Sequence, residues 1–353
     1  MLKNKLAKKF LGLSLLCFSF GFLSPVVLAQ ANILNVYVWT AYLPQDVVKQ
    51  FRKETGIRVN ISEYDSNETM YAKIKASPDA GYDIIFPSNY FIHRMRKQNM
   101  LHIIDKDKLP NLQYINRDLL RKPFDPNNEF SIPYLCSITG IVINTDYLDN
   151  KNITSWQDLW QERFRDKLLV LDDMREVFSI ALLTLGYSIN DTNPDHIKEA
   201  YLKLKTLLPN VKIFNSDVEQ NIYIDEDAIV GMGWNGDINL SLAENPKLKF
   251  IYPKEGFVMS IDCLAITKNA PHLENAYKFI NFLMRPDIAK KISEEIGYPS
   301  PNLAAIKLLP KDMQNNPLLN PSSELLKRGQ LQDATDEVLP LYEKYWEKLK
   351  IGE

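Results

Sequence analysis

Apolar and polar positions along this chain follow one repeating order: a short alternating or wholly apolar run, then a stretch with apolar residues at helical spacing. Ile33 to Trp39 alternates as a half-buried strand does. After Pro44, Val47, Val48 and Phe51 share one helical face, and Gly56 supplies the stop. Ile57 to Tyr64 reads as a second strand and Glu68 to Ala76 as a helix. Tyr82 to Phe86 reads as a buried strand ending at Pro87-Ser88, with a helix from Tyr90 to Gln98 after it. Further strands are predicted over Gly140 to Asn144, Leu168 to Leu171, Ala228 to Met232 and Leu264 to Thr267. Helices are predicted over Ser155 to Gln161, capped by the serine, and over Glu176 to Leu185; past Leu303 the chain is mostly helical. This alternation predicts an α/β fold with mostly parallel sheets. In such sheets ligands sit beyond the carboxyl ends of strands.

The first residues depart from the rhythm. Lys3, Lys5, Lys8 and Lys9 precede a nearly unbroken apolar run from Phe10 to Val27, and Ala29-Gln30-Ala31 is an A-x-A cleavage site. Residues 1–31 are therefore read as a secretory signal peptide, with the mature chain starting near Asn32 in the periplasm. Cys17 does not suggest a lipoprotein, because bulky Leu16 precedes it. No later run is long and apolar enough to span a bilayer. The rest of the 353-residue chain is too long for one simple core, which implies two lobes. Without the four leader lysines, 38 basic residues face 44 acidic ones, a net charge of −6. That mild acidity disfavours nucleic acid and is compatible with cationic solutes. Cys136 and Cys263 either pair, as an oxidising compartment allows, or stay as two free thiols.

The candidate chemistry sits in four separated stretches: Trp39-Thr40-Ala41-Tyr42, Asp173-Met174-Arg175-Glu176, Gly233-Trp234-Asn235-Gly236 and Ser260-Ile261-Asp262. Each offers a ring, a carboxylate or both, at or near a predicted strand end. Rings and carboxylates together suit a flexible cation with an apolar middle, such as a polyamine. Other motifs are weaker. Gly231-Met232-Gly233-Trp234-Asn235-Gly236 matches a dinucleotide fingerprint, but Trp234 would crowd the pyrophosphate and the unit sits late in the chain. His93, His102, His196 and His272 have no metal-ligand spacing, so neither metal nor cofactor is expected. Paired tyrosines among Tyr37, Tyr42, Tyr90 and Tyr298 keep ferric iron open. No nucleophile elbow occurs. Asp173 and Glu176 could be a glycosidase pair, although three apart at a helix start they more often form a cap and a surface charge.

The chain resembles the spermidine/putrescine-binding proteins, extracytoplasmic solute receptors of polyamine ABC importers. The resemblance rests on Trp39 to Tyr42, Glu54 to Ile57, Ser66 to Lys73, Pro87 to Tyr90, Lys122 to Asn128, Ser131 to Tyr134, Asp172 to Phe178, Phe214 to Asp217 and Gly297 to Asn302. It implies a two-lobed periplasmic-binding-protein fold of type II, with the ligand in the interlobe cleft, no catalysis, and a membrane permease as partner of a monomeric receptor. The expected boundaries are residues 32–138 and 261–307 for lobe 1, 139–260 for lobe 2, and a C-terminal helical segment 308–353 on lobe 2. By resemblance, Asp173, Glu176 and Asp262 receive ammonium groups, and Trp39, Tyr42, Trp234 and Tyr298 line the methylenes. Thr40, Ser88, Tyr90, Ser216 and Gln332 add hydrogen bonds. Ser260 stands where the family commonly has an aromatic wall, and Ala41 where an acid is common, which puts length selectivity among polyamines in question.

Overall fold

The structure, a computed structural model, describes residues 32–216, 219–333 and 335–352; the predicted signal peptide lies outside them. Strand β1 (Ile33–Trp39) pairs in parallel with β2 (Arg58–Tyr64) and β3 (Ile84–Ile85). Helices α1 (Gln45–Thr55), α2 (Asn67–Ala76) and α3 (Asn89–Lys97) follow these strands. Helix α1 ends where the spacing predicts, because Gly56 takes φ 74° and returns its N–H to Arg52. Ser66 accepts the Thr69 N–H and caps α2, so Asn67-Glu68-Thr69 is a helix start.

Strand β4 (Ile132–Asn144) leads into β5 (Leu168–Val170), α4 (Met174–Leu185), α5 (Pro194–Lys205), β6 (Val211–Phe214) and α6 (Glu219–Ile224). Strand β7 (Val230–Trp234), α7 (Asn235–Glu244), β8 (Leu248–Ile251) and β9 (Phe257–Ile266) come next. Helices α8 (Leu273–Leu283) and α9 (Pro286–Ile296), β10 (Gly329–Leu331) and a helix over Leu339–Lys350 complete the order. The predicted helix at Ser155 is a 3-10 turn, Trp156–Trp160, with Ser155 as its cap.

Pairing is mixed rather than mostly parallel. Pairs β3·β9, β4·β7, β4·β8 and β4·β9 are antiparallel, while β5 runs parallel to β6 and β7. Every antiparallel pair uses β4 or β9. These two strands are also longer than their apolar patterns predict, and the physical reason is that they cross between two cores. On β4, Ile132, Tyr134 and Leu135 enter a core with Val36, Phe51, Phe86 and Phe279. Further along, Ile141, Val142 and Ile143 enter a second core with Trp156, Phe178, Tyr223 and Met232. Strand β9 makes the reverse passage, from Val258 in the second core to Leu264 and Ile266 in the first. Each fully buried side chain of this size contributes roughly 1.5–3 kcal/mol, so each lobe holds itself together. The stretch of β4 and β9 between the cores is polar and buried, with Ser137, Thr139, Ser260 and Asp262.

Candidate functional site

Four segments converge on that polar stretch. Trp39 ends β1 and Trp234 ends β7; β9 carries Asp262, and the turn after α9 carries Tyr298. Trp234 packs against both cores, so its ring lies where they meet. The Trp39 indole N–H donates to the Phe86 carbonyl at 2.8 Å, and its ring rests 4.8 Å from that of Tyr64. Tyr42 and Tyr298 meet edge to face at 5.8 Å. These rings are held by their own contacts and need no ligand to set them.

Asp262 is 8% exposed, and both its oxygens are engaged. The Tyr42 hydroxyl donates to Oδ2 and the Ser88 hydroxyl to Oδ1, each at 2.7 Å. Burial pushes this carboxyl up to about 6, and the two donors hold back part of the rise. Asn67 braces Ser88 and Tyr90 by donating to their hydroxyls at 3.1 and 3.2 Å. Asn89, fully buried, accepts the Ile261 N–H at 3.0 Å and donates to the Gln332 carbonyl, so it ties α3 to β9 and to the segment after β10.

Asp173 and Glu176 open α4. Asp173 caps the helix by accepting the Glu176 N–H at 3.0 Å. Glu176 is not a surface charge but 3% exposed. Gln332 donates to its Oε1 at 3.2 Å, whereas Oε2 is buried and has no hydrogen-bond partner among the described residues; the Thr139 and Trp234 side chains lie near enough to hold back part of the rise in its pKa. Burial first, and repulsion from Asp173 second, push Glu176 up to about 8; Asp173 is raised as well, chiefly by burial. Arg175, between them, points elsewhere. Its guanidinium donates to Thr335 Oγ1 (2.8 Å), Asn190 Oδ1 (3.1 Å) and the carbonyls of Asp333 and Ile189.

The remaining predicted residues vary in placement. Ser260, expected to leave one wall of the site open, carries a hydroxyl that donates to Gln332 Oε1 at 3.3 Å. This fixes the Gln332 amide so that its NH₂ faces Glu176. Thr40 is exposed and bonds the Tyr64 carbonyl at 3.3 Å. The Ser216 hydroxyl is buried and has no hydrogen-bond partner among the described residues. Ala41 takes φ 56°, and its N–H donates to Glu63 Oε1 at 3.2 Å, so a carboxylate from β2 stands beside it. Cys136 and Cys263 are both free thiols. Burial and Asp262 push the Cys136 thiol up to about 12, which leaves it unreactive at neutral pH.

Two acids escaped the sequence reading. Glu219, 2% exposed, accepts the Trp234 N–H at 3.0 Å. Asp237 accepts from Gln220 at 2.7 Å and from the Tyr298 hydroxyl at 2.5 Å. Asp237 had a visible signal, since it directly follows a stretch already singled out, Gly233 to Gly236. Glu219 had none, as an isolated acid in a polar run. Gly236 explains the close approach of Tyr298: a Cβ there would fall inside the Tyr298 ring. Gly236→Ala is expected to displace that ring at a cost of about 1–3 kcal/mol, with weaker ligand binding and an altered near-ultraviolet circular dichroism spectrum. Unchanged spectrum and affinity would detach Tyr298 from the site.

Comparisons with known proteins show the family. Residues 46–321 match the family described as bacterial extracellular solute-binding protein. A spermidine/putrescine-binding periplasmic protein of Escherichia coli is 48% identical over 321 residues, 91% of this chain and 92% of its own length. A putrescine-binding periplasmic protein of Pseudomonas aeruginosa is 34% identical over 343 residues, 92% of this chain and 93% of its own length. A solved spermidine/putrescine ABC transporter substrate-binding protein of Streptococcus pneumoniae superposes with a TM-score of 0.79 at 33% identity, covering 91% of this chain and 99% of that one. The two cores, the crossing strands and these matches together make the chain a member of the bacterial extracellular solute-binding protein family, with the type II periplasmic-binding-protein fold.

Proposed function

We propose that this protein is a periplasmic receptor that binds a polyamine, spermidine or putrescine or both, in the interlobe cleft and delivers it to the permease of an ABC importer. The observation that carries the reading is a set of buried carboxylates held in no ion pair among the described residues, with Arg175 the one protein cation acting on Asp173 and Glu176 and its guanidinium committed to other partners. Glu176 and Asp262 are 3% and 8% exposed, and among the described residues neither takes part in an ion pair. A buried charge is costly unless matched, so the natural occupant is itself a cation. Asp173, Glu176 and Asp262 receive its ammonium groups, and Trp39, Tyr42, Trp234 and Tyr298 line the methylenes. Thr40, Ser88, Tyr90, Ser216 and Gln332 supply hydrogen bonds. The names of the similar proteins from Escherichia coli and Pseudomonas aeruginosa support the same ligand class.

In this reading the chain is a monomer that performs no chemistry, exported by the signal peptide of residues 1–31. Lobe 1 comprises residues 32–138 and 261–307, lobe 2 comprises 139–260, and residues 308–353 pack mainly on lobe 2. The lobes close over the ligand, because the acids come from segments that meet only in the closed state. An amino acid ligand is disfavoured, since Arg175 is committed to Thr335, Asn190 and two carbonyls. The test is calorimetric titration of folded, ligand-stripped protein with putrescine, spermidine and spermine. One-to-one binding with micromolar or tighter affinity is expected for at least one of them. Silence with all three would retire the polyamine reading.

A further inference from the structure

Strand β10 adds in parallel to β9, and the residues just past it form a strap that carries Gln332 to Glu176. One side of the strap is held by β9 and α3. The Gln332 N–H donates to the Met259 carbonyl at 2.9 Å, Asn89 donates to the Gln332 carbonyl, and Ser260 donates to Gln332 Oε1 at 3.3 Å. The other side is held by α4 and the turn that follows it. Asn190 in that turn donates to the Leu331 carbonyl at 2.9 Å and accepts the Asp333 N–H at 2.8 Å. Arg175, in the first turn of α4, donates to the Asp333 carbonyl at 3.1 Å and to Thr335 Oγ1 at 2.8 Å.

The Arg175 fork is buried and reaches two segments at once. Nη1 serves the strap, while Nη2 donates to the Ile189 carbonyl at 3.3 Å and to Asn190 Oδ1 at 3.1 Å. Asn190 grips the strap in turn, so guanidinium and amide form one clamp. The guanidinium also lies between two rings, 5.6 Å from that of Tyr90 and 5.7 Å from that of Tyr342. Tyr342 belongs to the core of Phe178 and Tyr223, whereas Tyr90 packs against Met70 and Phe91. A planar cation with five fixed donors suits a place that bonds two segments and meets two rings; an ammonium on a flexible stem does not. Positively charged, and with both terminal nitrogens committed, Arg175 is no contact for a cationic ligand.

We propose that Arg175 is a positioning residue for ligand binding: by clamping residues 331–335 it sets where the Gln332 amide meets Glu176. That amide occupies one oxygen of Glu176 and leaves the other for an ammonium. The route is mechanical. It runs from Nη1 through the Asp333 carbonyl and Thr335 to Gln332, while Ser260 fixes which end of the amide faces the acid. Arg175 directly precedes Glu176, so one helical turn carries the acid and also holds the strap that brings the acid its donor. The two therefore stay in register. The inference rests on the polyamine reading above and adds to it a residue that governs affinity without touching the ligand.

The test is a double-mutant cycle read by calorimetric titration with spermidine, using wild type, Arg175→Lys, Gln332→Ala and the double variant. Lysine keeps the positive charge beside Asp173 and Glu176 but cannot hold the strap as a fork does. Each single variant is expected to bind about tenfold more weakly. The double variant should bind within about twofold of Gln332→Ala, because the clamp then has no amide left to aim. A merely structural role would weaken binding alike in either background, so losses that multiply would overturn the proposal. Either single variant binding as wild type does would overturn it too. Thermal melts of the same proteins check that they are folded. Should Arg175→Lys fail to fold, Thr335→Val, which removes one anchor and keeps Arg175, takes its place with the same expected and overturning results. Folded wild type that binds none of putrescine, spermidine and spermine would overturn the receptor reading itself, and this role with it. Polyamine binding with losses that multiply would overturn the role of Arg175 alone.

Discussion

Glu176→Gln is expected to move binding and stability in opposite directions. In the wild type, Gln332 holds Oε1 and leaves Oε2 for a cation. The introduced glutamine can still accept from Gln332, but it then turns its own NH₂ toward the arriving ammonium. An attractive charge is replaced by a donor facing a donor. Losing one side of a buried charged pair costs about 2–5 kcal/mol, so affinity should fall by about 30-fold or more. Without ligand the same change is a relief. Glu176 is buried, repelled by Asp173, and pushed up to about 8. The neutral amide removes both penalties, and the ligand-free protein should melt on the order of 5 °C higher at about pH 8. Titration calorimetry and a thermal melt on one preparation check both signs. Unchanged affinity would remove Glu176 from the site, and a lower melting temperature would refute burial as the cause of its raised pKa.

That conflict between stability and binding also marks where the sequence stops being legible. Outside the cleft, local chemistry and fold agree: the alternation of Ile33 to Trp39, the face of Val47 and Phe51, and the left-handed Gly56 all lie where their patterns place them. Strands β4 and β9 are read only in part, as Gly140 to Asn144 and Leu264 to Thr267. The unread portions hold Ser137 and Thr139 on β4 and Ser260 and Asp262 on β9, all buried. Polar residues in a buried strand break the apolar run by which such strands are recognised. They are tolerated because hydrogen bonds satisfy them, as Ser260 does with Gln332 and Asp262 with Ser88, so periodicity fails at the candidate site. Helices α8 and α9 went unread for another reason. Their punctuation was present, with Pro286 at the first turn of α9 and Gly297 as its left-handed end, but no chemistry drew attention to the segment.

The site residues divide in the same way. Trp39, Asp173 and Trp234 can be found from strand ends alone. Gln332 cannot, because it reaches Glu176 only through a segment 156 residues away. Ser260 read as a missing wall, yet it orients the Gln332 amide through a hydrogen bond that no single sequence discloses. Asp237 and Glu219 are ordinary acids near helix starts until folding places Trp234 and Tyr298 over them. The sequence names the kinds of group in the cleft, and the fold decides which of their atoms are left without partners.

The buried acids of the candidate site give the second large effect, a pH dependence opposite to that of most proteins. Carboxyls held in ion pairs have lowered pKa values and stabilise the fold as pH rises. Here Asp262 is raised to about 6 and Glu176 to about 8, and Asp173, Glu219 and Asp237 are raised as well, all chiefly by burial. Below the ordinary carboxyl range both folded and unfolded chains hold these protons, and the groups cost nothing. Above it the unfolded chain releases them while the folded chain keeps them, so ν_N exceeds ν_U and unfolding free energy falls with rising pH. For Asp262 the fall runs from about 3.8 to about 6, and for Glu176 from about 4.5 to about 8. Each group in its window contributes about 1.4 kcal/mol per pH unit. The ligand-free protein should therefore melt lower at about pH 8 than at about pH 5.5, by on the order of 5 °C. Saturating spermidine should flatten or reverse that slope, because a bound cation stabilises the ionised carboxylates. Thermal melts across that range, with and without spermidine, decide the matter. A ligand-free melting temperature that holds or climbs toward about pH 8 would mean that solvent reaches these acids, and that the cleft is wet rather than built around an absent cation.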